Sequence, residues 1–317
     1  MLKGKKIIIT GAGGFIGAYF LDKLRDNNDV IALLRQDANK YWRLNLFEKN
    51  YQTEIADITQ REKIISIFSK QKPDITLHFA STGTYPGRQK DHEALFSTNI
   101  IGSMNIIEAS LIYSDITLNT GSSSEYGTAP CPMSENGPTF PTILYGATKL
   151  FTTHYAKLRA QEEKKKLITI RPFSVYGPYE EPFRLIPYLL SSILLNKKIK
   201  LSSPHNVRDF IFIEDFYAAT VHLLNKIEEF EYGKIFNIGT GKETSIGTLV
   251  KILQNEIFMK ELDIEWSLSQ KQPELEHWYA DITELEKTGF VHAYDLKSGL
   301  IKTYNWLREN IACYSGD

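Results

Sequence analysis

The sequence is short of cysteine and of net charge, and both shortages limit what the protein can do. Its 317 residues include two cysteines, Cys131 and Cys313, which lack the CxxC spacing of a zinc or redox site. We expect unpaired, reduced thiols, a cytoplasmic location and no metal. Because 37 basic residues face 38 acidic ones, the chain lacks the positive field that attracts nucleic acid, and we expect no nucleic-acid partner.

Long apolar runs and internal repeats are also missing. No stretch approaches the roughly 18 apolar residues that a membrane span needs. The first residues, Met-Leu-Lys-Gly-Lys-Lys, lead into a strand pattern instead of the apolar core of a signal peptide. We therefore expect no membrane partner, and the length suits a cofactor domain joined to a smaller domain.

The sequence does contain a regular alternation of strand and helix patterns. The β-branched runs Lys6–Thr10 and Asp29–Leu34 flank a stretch with helical spacing, Phe15–Leu24, and together they predict a βαβ unit. The alternation continues to about residue 171. It predicts an α/β fold with a Rossmann-type, doubly wound parallel sheet.

Sequence rich in Pro and Tyr begins at residue 172 and interrupts the alternation. Helix and strand patterns return near residues 208–240, which predicts that two domains interleave. The dinucleotide-binding domain is expected to comprise residues 1–171 and about 208–240. Residues 172–207 and 241–317 are expected to form a smaller, mixed C-terminal domain that binds the substrate.

A glycine-rich turn joins the first strand to the first helix. Glycines let backbone N–H groups and the positive end of the helix approach a pyrophosphate closely. In this strand-turn-helix context the turn predicts dinucleotide binding. The residues expected to hold the cofactor here are Gly11, Gly13, Gly14, Phe15, Ile16 and Gly17.

The end of the second strand bears on the choice of cofactor. Arg35 follows that strand directly, and no carboxylate occurs before Asp37. A guanidinium can pair with a 2′-phosphate, whereas a free ribose 2′-hydroxyl is usually bound by an acid. We therefore favour NADP(H), while NAD(H) stays possible. Asp57 and Ile58, just past the third strand, are candidates for adenine contacts.

Tyr145 and Lys149 are the candidate proton-transfer pair. Their spacing at the start of a predicted helix places the phenol and the ammonium on one face. A nearby positive charge lowers the pKa of a phenol from its usual value of about 10, which makes Tyr145 a usable general acid or base. Lys149 can also hold the nicotinamide ribose.

A serine cluster follows a predicted strand at the carboxyl edge of the sheet, where ligands of such folds collect. It consists of Ser122, Ser123 and Ser124. Hydroxyls at this edge can hydrogen-bond a carbonyl or alcohol oxygen while Tyr145 moves its proton.

With these motifs in this order, the sequence resembles the extended short-chain dehydrogenase/reductase family, which includes the NAD-dependent epimerases and dehydratases of nucleotide sugars. Further matching segments are His78–Ala80, Asn99, Arg171–Pro178, Arg208–Phe210 and Asn237–Gly241. The resemblance implies a nucleoside-diphosphate sugar as substrate. It also implies a homodimer that forms a four-helix interface from helices near residues 93–113 and 144–165.

The resemblance assigns roles to single residues. Ser122 becomes the hydroxyl partner of Tyr145, with Ser123 as the competing alignment, and Arg208 contacts the diphosphate. Asn99 is expected to shape the sheet edge more than to do chemistry. Further cofactor contacts are implied for Phe79, Ala80, Ser81, Asn99, Pro172, Ser174 and Val175. Further substrate contacts are assigned to Tyr85, Arg88, Ser123, Ser124, Ser174 and Lys271.

The family includes several reactions, and local departures from its pattern must distinguish them. Dehydratases of this group usually carry acids one and two positions after the catalytic hydroxyl. If that hydroxyl is Ser122, those positions hold Ser123 and Ser124. If it is Ser123, Glu125 occupies the second position, so dehydration is disfavoured and stays open.

The cofactor then separates reduction from epimerisation. An exchangeable NADPH, favoured by Arg35, indicates a net reductase. The resemblance implies that its substrate is a nucleoside-diphosphate 4-keto-6-deoxy sugar, to which Tyr145 donates the proton. This reductase is the leading hypothesis. An NAD-dependent 4-epimerase is the alternative, and a 4,6-dehydratase comes after it. A non-enzymatic dinucleotide sensor would have no need of Tyr145, Lys149 and the serines together.

Overall fold

The computed structural model describes residues 2–84, 91–267 and 277–314. Three of the predicted substrate contacts lie outside these residues, namely Tyr85, Arg88 and Lys271.

The chain divides into two compact units, and neither is continuous in sequence. Residues 208–217, which the sequence analysis assigned to the cofactor domain, fall in the second unit. The first unit comprises Met1–Ala129, Glu135–Pro172 and Ala218–Asn237, and the second comprises Pro130–Ser134, Phe173–Tyr217 and Ile238–Asp317.

The first unit is built on a seven-stranded sheet. Its strands are β1 Lys6–Thr10, β2 Asp29–Leu34, β3 Gln52–Ile55, β4 Ile75–His78, β5 Ile116–Thr120, β6 Lys166–Pro172 and β11 Ile235–Ile238. Their order is β11-β6-β5-β4-β1-β2-β3. Since β1 pairs in parallel with β2 on one side and β4 on the other, the direction of winding reverses between β1 and β4, where doubly wound sheets bind ligands. The predicted fold class is confirmed.

Helices pack on this sheet. They are α1 Phe15–Leu24, α2 Arg61–Gln71, α3 His92–Phe96, α4 Ser103–Tyr113 and α5 Leu144–Glu163. A π-helical turn, Ser97–Gly102, joins α3 to α4.

One helical segment, His92–Tyr113, is long and apolar enough to cross a membrane by length and composition alone, which the sequence analysis did not foresee. Half of its apolar window, 50%, is buried inside the protein, as in the core helix of a globular domain.

The sheet is buried because its central strands carry apolar residues on both faces. Ile7, Ile8 and Ile9 of β1 each have 0% exposure, which is the pattern expected when helices cover both sides of a parallel sheet. Ile8 belongs to a cluster with Phe68 of α2 and Ile106 of α4. This packing fixes the ends of β1 and β4, from which the site is built.

The second unit contains short strands and five helices within the described residues. Its strands are β7 Ser174–Tyr176, β8 Ile199–Leu201, β9 Val207–Arg208, β10 Phe210–Phe212, β12 Thr244–Ser245 and β13 Ile264–Trp266. They form the two-stranded pairs β7–β10, β9–β12 and β8–β13. The helices are α6 Leu185–Leu194, α7 Ile213–Asn225, α8 Ile246–Ile252, α9 Thr283–Lys287 and α10 Leu296–Glu309, and α7 continues into the first unit.

Candidate functional site

The glycine turn begins at the end of β1 and leads into α1. Gly11 has a φ of +69°, and a Cβ there would lie 2.7 Å from the backbone N of Ala80, so the loops after β1 and β4 approach at a distance that only glycine permits. A Cβ on Gly17 would overlap the carbonyl of Gly11. The resulting cradle presents backbone to a ligand, as a pyrophosphate requires.

The first turn of α1 supplies the donors of this cradle. Gly14 is the N-cap, and the first intrahelical bond runs from the N–H of Ala18 to the carbonyl of Gly14. The N–H groups of Phe15, Ile16 and Gly17 precede that bond, as at every helix start. These groups fit the phosphates of a dinucleotide.

Gly13 has a different reason to be glycine. A Cβ at this position would overlap the ring of Tyr41, which stands just before a short 3₁₀ helix, Trp42–Leu46. The tyrosine therefore packs on the cradle. Tyr41 could not be identified from the sequence, because a single aromatic residue in a loop belongs to no recognisable pattern.

The candidate adenosine contacts lie at the ends of β2 and β3. Arg35 is exposed directly after β2 and makes no side-chain hydrogen bond or ion pair within the described residues. Asp57 accepts bonds from the backbone N and hydroxyl of Thr59, at 2.9 and 2.7 Å. Ile58 is buried, and a Cβ on Gly102 would overlap it. Arg35 is thus the residue in this group with a charged head open to solvent.

The loop after β4 is tied to β1. Thr10 accepts a bond from the backbone N of Ala80 at 3.2 Å, and the ring of Phe79 packs against that of Phe20 of α1, tilted by 51° with centroids 4.8 Å apart. Ser81 is exposed. The predicted cofactor contacts Phe79 and Ala80 thereby line the same edge as the glycine turn.

Two buried polar residues beside this loop, His78 and Asn99, form hydrogen bonds to other groups of the protein. The ring of His78 lies between the hydroxyls of Thr10 and Ser103, at 2.7 and 2.9 Å. Burial, with a contribution from the charge of Lys149, lowers the pKa of His78 to about 3, so the ring is neutral. We infer a structural role for this histidine.

Asn99 lies in the π-helical turn and is 1% exposed. Its amide donates to the carbonyl of Thr82 at 3.0 Å and to the hydroxyl of Thr148 at 3.1 Å, and its oxygen accepts from the N of Thr82. The side chain therefore joins the loop after β4 to α5, next to Lys149.

The serine cluster forms a capped 3₁₀ turn, Ser123–Glu125, directly after β5. Ser122 is the N-cap, and its hydroxyl oxygen accepts from the backbone N of Ser124 at 3.1 Å. Because this bond uses only a lone pair, the O–H of Ser122 can still donate. Ser122 and Ser123 are both buried.

The first three turns of α5 pack against this serine turn. A Cβ on Gly146 would overlap the carbonyl of Ser124, and Thr153 donates to the carboxylate of Glu125 at 2.9 Å. Tyr145 and Lys149, one helical turn apart on α5, are 6% and 3% exposed. The predicted catalytic groups therefore come from two elements that are attached to each other.

Burial strongly affects Lys149. Desolvation lowers its pKa to about 8, while the charge of Glu125 acts in the opposite direction. The amine consequently remains largely protonated at neutral pH and titrates in the mildly alkaline range.

Glu125 and Arg171 form a buried ion pair that sequence reasoning missed. Arg171 Nε donates to Glu125 at 2.7 Å, and Nη1 donates to the hydroxyl of Tyr126 at 2.9 Å. Glu125 is 0% exposed and Arg171 1%. An arginine that ends an apolar strand pattern was the available signal, since such a group is almost never buried without a partner.

The remaining predicted residues lie around the start of the second unit. Pro172 ends β6 of the first unit, whereas Ser174 and Val175 lie on β7 of the second unit. The backbone N of Ser174 donates to the carbonyl of Asp209 at 2.9 Å.

Arg208 ends β9 and is half-buried. Its guanidinium donates to the carbonyl of Val207 at 2.6 Å, and no carboxylate pairs with it within the described residues. Burial and the nearby Arg184 both lower the pKa of Arg208. Arg184 itself pairs with Glu180 at 3.3 Å, which leaves Arg208 as the guanidinium of this region that can bind an anionic ligand.

The model of the NAD dependent epimerase/dehydratase family matches residues 7–239. The chain belongs to this family. It is therefore an enzyme of the extended short-chain dehydrogenase/reductase type, as the resemblance implied.

Individual relatives are similar over nearly their whole length. A "Putative UDP-glucose 4-epimerase" of Methanocaldococcus jannaschii is 29% identical, over 96% of this chain and 99% of that protein. The UDP-glucose 4-epimerase of Thermotoga maritima, solved with UDP-glucose, has a TM-score of 0.85 at 24% identity, over 96% and 99% of the two chains. The UDP-glucuronic acid 4-epimerase of Bacillus cereus, solved with UDP-glucuronic acid and NAD, has a TM-score of 0.84 at 24% identity, with the same coverage.

Proposed function

We propose that this enzyme is a nucleotide-sugar 4-epimerase that uses NAD and regains it in every cycle. The observation that carries the proposal is the buried pair Tyr145 and Lys149, attached to the serine turn. The relatives named above are 4-epimerases, which supports epimerisation over the 4-keto reduction that the sequence analysis favoured. Their UDP-linked sugars indicate a UDP-hexose as substrate.

The side chains of this enzyme would move a proton at the sugar C4 oxygen. Tyr145 takes the proton from the C4 hydroxyl and later returns it. The ammonium of Lys149 favours the phenolate form of Tyr145, and the O–H of Ser122 donates to the C4 oxygen. A nicotinamide dinucleotide bound in the cradle would supply reversible hydride transfer at C4, and return of the hydride to the opposite face of the sugar would invert that centre.

The dinucleotide would be held by the cradle of the first unit. The N–H groups at the start of α1 would bind the pyrophosphate, since glycine at Gly11 and Gly17 lets the turn pack closely enough to form the cradle around them. Arg208 would bind the diphosphate of the substrate, because its guanidinium has no carboxylate partner in the described part of the chain.

Dehydration is less well supported by the serine turn. The two positions after Ser122 are hydroxyls, and Glu125 has 0% exposure and is bound to Arg171. A carboxylate held in this way is a poor acid or base for the elimination of water.

Epimerase activity can be tested with the purified enzyme and NAD. We expect UDP-glucose or UDP-glucuronate to be converted to the C4 epimer, which NMR of the sugar detects. Tyr145→Phe should bind dinucleotide normally and lose turnover, because it removes only the hydroxyl. Wild-type enzyme that forms no epimer from any UDP-hexose, or a fully active Tyr145→Phe variant, would contradict the proposal.

Reduction remains the second candidate because of Arg35. Its exposed guanidinium at the end of β2 suits a 2′-phosphate better than a free ribose hydroxyl. A titration with NADPH and NADH separates the two functions. Tighter binding of NADPH that Arg35→Gln removes would favour the reductase, and equal or tighter binding of NADH would favour the epimerase.

We also propose a homodimer built through α3–α4 and α5. Large apolar side chains on these helices remain exposed, including Ile112 at 64%, Leu158 at 57% and Phe151 at 45%. The two helices already pack together through Ile107 and Ala156. Sedimentation velocity of the purified protein tests this assembly, and a monomer at micromolar concentration would exclude it.

A further inference from the structure

Glu125 joins three parts of the site through one carboxylate. Its Oε1 accepts from the backbone N of Ser122 at 2.8 Å and from the hydroxyl of Thr153 at 2.9 Å. Its Oε2 accepts from Nε of Arg171 at 2.7 Å. The side chain thus links the backbone of the candidate hydroxyl to α5 and to β6.

The side chain of Glu125 is packed tightly, and glycine at position 121 leaves the space that its carboxylate occupies. A Cβ on Gly121 would overlap Oε1 of Glu125 and lie 2.9 Å from the hydroxyl of Thr153. The guanidinium of Arg171 lies over the ring of Tyr126, 4.7 Å from the centroid. Glu125 is therefore confined on several sides, and the backbone of Ser122 is confined with it.

The carboxylate also acts on Lys149. Thr153, which donates to Glu125 at 2.9 Å, lies one helical turn beyond Lys149 on the same face of α5. Burial lowers the pKa of the Lys149 amine, and the charge of Glu125 raises it. Within the described residues Glu125 is the anion that acts on Lys149, whereas the nearby His78 is neutral.

We propose that Glu125 is a positioning residue of the reaction, which holds the backbone of Ser122 against α5, the helix that carries Tyr145 and Lys149. Its place in the reaction rests on the proposed function of Tyr145, Lys149 and Ser122. Its effect on Lys149 is a property of the folded chain and can be measured without substrate.

A different result is expected if the Glu125–Arg171 ion pair only stabilises the protein core. In that case, removal of either partner would have the same consequence. The protein would be less stable, and the titration midpoint of Lys149 would not change. If Glu125 acts on Lys149, the two partners differ. Glu125→Gln removes the anion near the amine, whereas Arg171→Gln keeps it.

The test is an NMR titration of the Lys149 side chain in the full-length protein, with the signal assigned by its loss in Lys149→Met. Glu125→Gln should shift the titration midpoint to lower pH than in wild type. Arg171→Gln should leave it in place or shift it upward. Glu108→Gln is a matched control, since it breaks the ion pair with Arg159, about 15 Å further along α5, and should not move the midpoint.

An unchanged midpoint in Glu125→Gln, or equal downward shifts in Glu125→Gln and Arg171→Gln, would overturn the proposal. If Glu125→Gln does not fold, the double variant Glu125→Gln/Arg171→Gln leaves no unpaired buried charge and should show the same downward shift. Its failure to shift would count equally against the proposal.

Kinetics separate this proposal from the proposed function. If wild type epimerises UDP-hexoses, Glu125→Gln should lower kcat more than it changes KM, and the alkaline limb of its pH profile should move to lower pH with the NMR midpoint. If wild type lacks epimerase activity but the midpoint shifts, the proposed function fails while the effect of Glu125 on Lys149 stands.

Discussion

Gly11→Ala should be far more harmful than Gly14→Ala, although both change a glycine of the same turn. At Gly11 a Cβ would lie 2.7 Å from the backbone N of Ala80, where ordinary contact begins at 3.4 Å, so the loops must separate by about 0.7 Å. The φ of +69° adds strain of about 1–2 kcal/mol. With about 1–3 kcal/mol for the overlap, the total is about 2–5 kcal/mol.

At Gly14 the corresponding cost is small. The backbone φ is −82°, and the nearest atom to a Cβ is the carbonyl oxygen of Gly11 at 3.2 Å, which requires a shift of a few tenths of an ångström. We expect a loss below about 1 kcal/mol, mainly from the poorer N-cap.

Urea unfolding of the two variants, without cofactor, measures this difference. Gly11→Ala should also weaken dinucleotide binding, because it separates the loops that form the cradle. Equal free energies of unfolding for Gly11→Ala and Gly14→Ala would refute the close approach of the β1 and β4 loops.

Three further predictions concern the catalytic helix and the assembly. Turnover should fall as the pH rises through about 8, because Lys149 loses its charge there and no longer favours the phenolate form of Tyr145. A pH profile of kcat/KM without an alkaline limb near this value would contradict the role of Lys149. Gly146→Ala should lower kcat about 100-fold, since the methyl group pushes Ser124 away from α5 and displacements of about 1 Å have effects of this size. Steady-state kinetics of this variant test the prediction, with Ala147→Ser at the neighbouring exposed position as the control. Ile112→Glu and Leu158→Glu should each convert a dimer to monomer in sedimentation velocity, and unchanged dimers would place the interface elsewhere.

The fold of the first unit could be predicted because its elements are long and regular. The helix Phe15–Leu24 and the strand Asp29–Leu34 have the bounds that periodicity predicts. Prediction was weaker in the second unit, where strands have two or three residues and show no period. A helix was expected from about residue 208, whereas β9 and β10 precede α7, which begins at Ile213.

In the candidate site, too, residues placed by local spacing could be predicted and residues brought together by long-range pairing could not. Tyr145 and Lys149 could be identified because their chemistry depends on local spacing along one helix. The pairing of Glu125 with Arg171 could not, because 46 residues separate the partners and only the pairing of β5 with β6 brings them together. The sequence offers Glu125 as an acid for dehydration, whereas in the structure its carboxylate is buried and bound to Arg171.

The choice between epimerase and reductase depended on one exposed side chain, Arg35. A single surface arginine is weak information, since the same residue can bind a phosphate or only water. The proposal of epimerisation draws instead on the relative from Methanocaldococcus jannaschii, which is 29% identical over 96% of the chain and therefore compares many more positions.

The most direct test of the account follows the C4 hydrogen of the substrate. UDP-glucose deuterated at C4 should yield the C4 epimer with the deuterium retained at C4 and with no net change in the absorbance of reduced nicotinamide. Failure to form the epimer, together with stoichiometric consumption of NADPH when a 4-keto sugar nucleotide is supplied, would contradict the epimerase and establish a reductase.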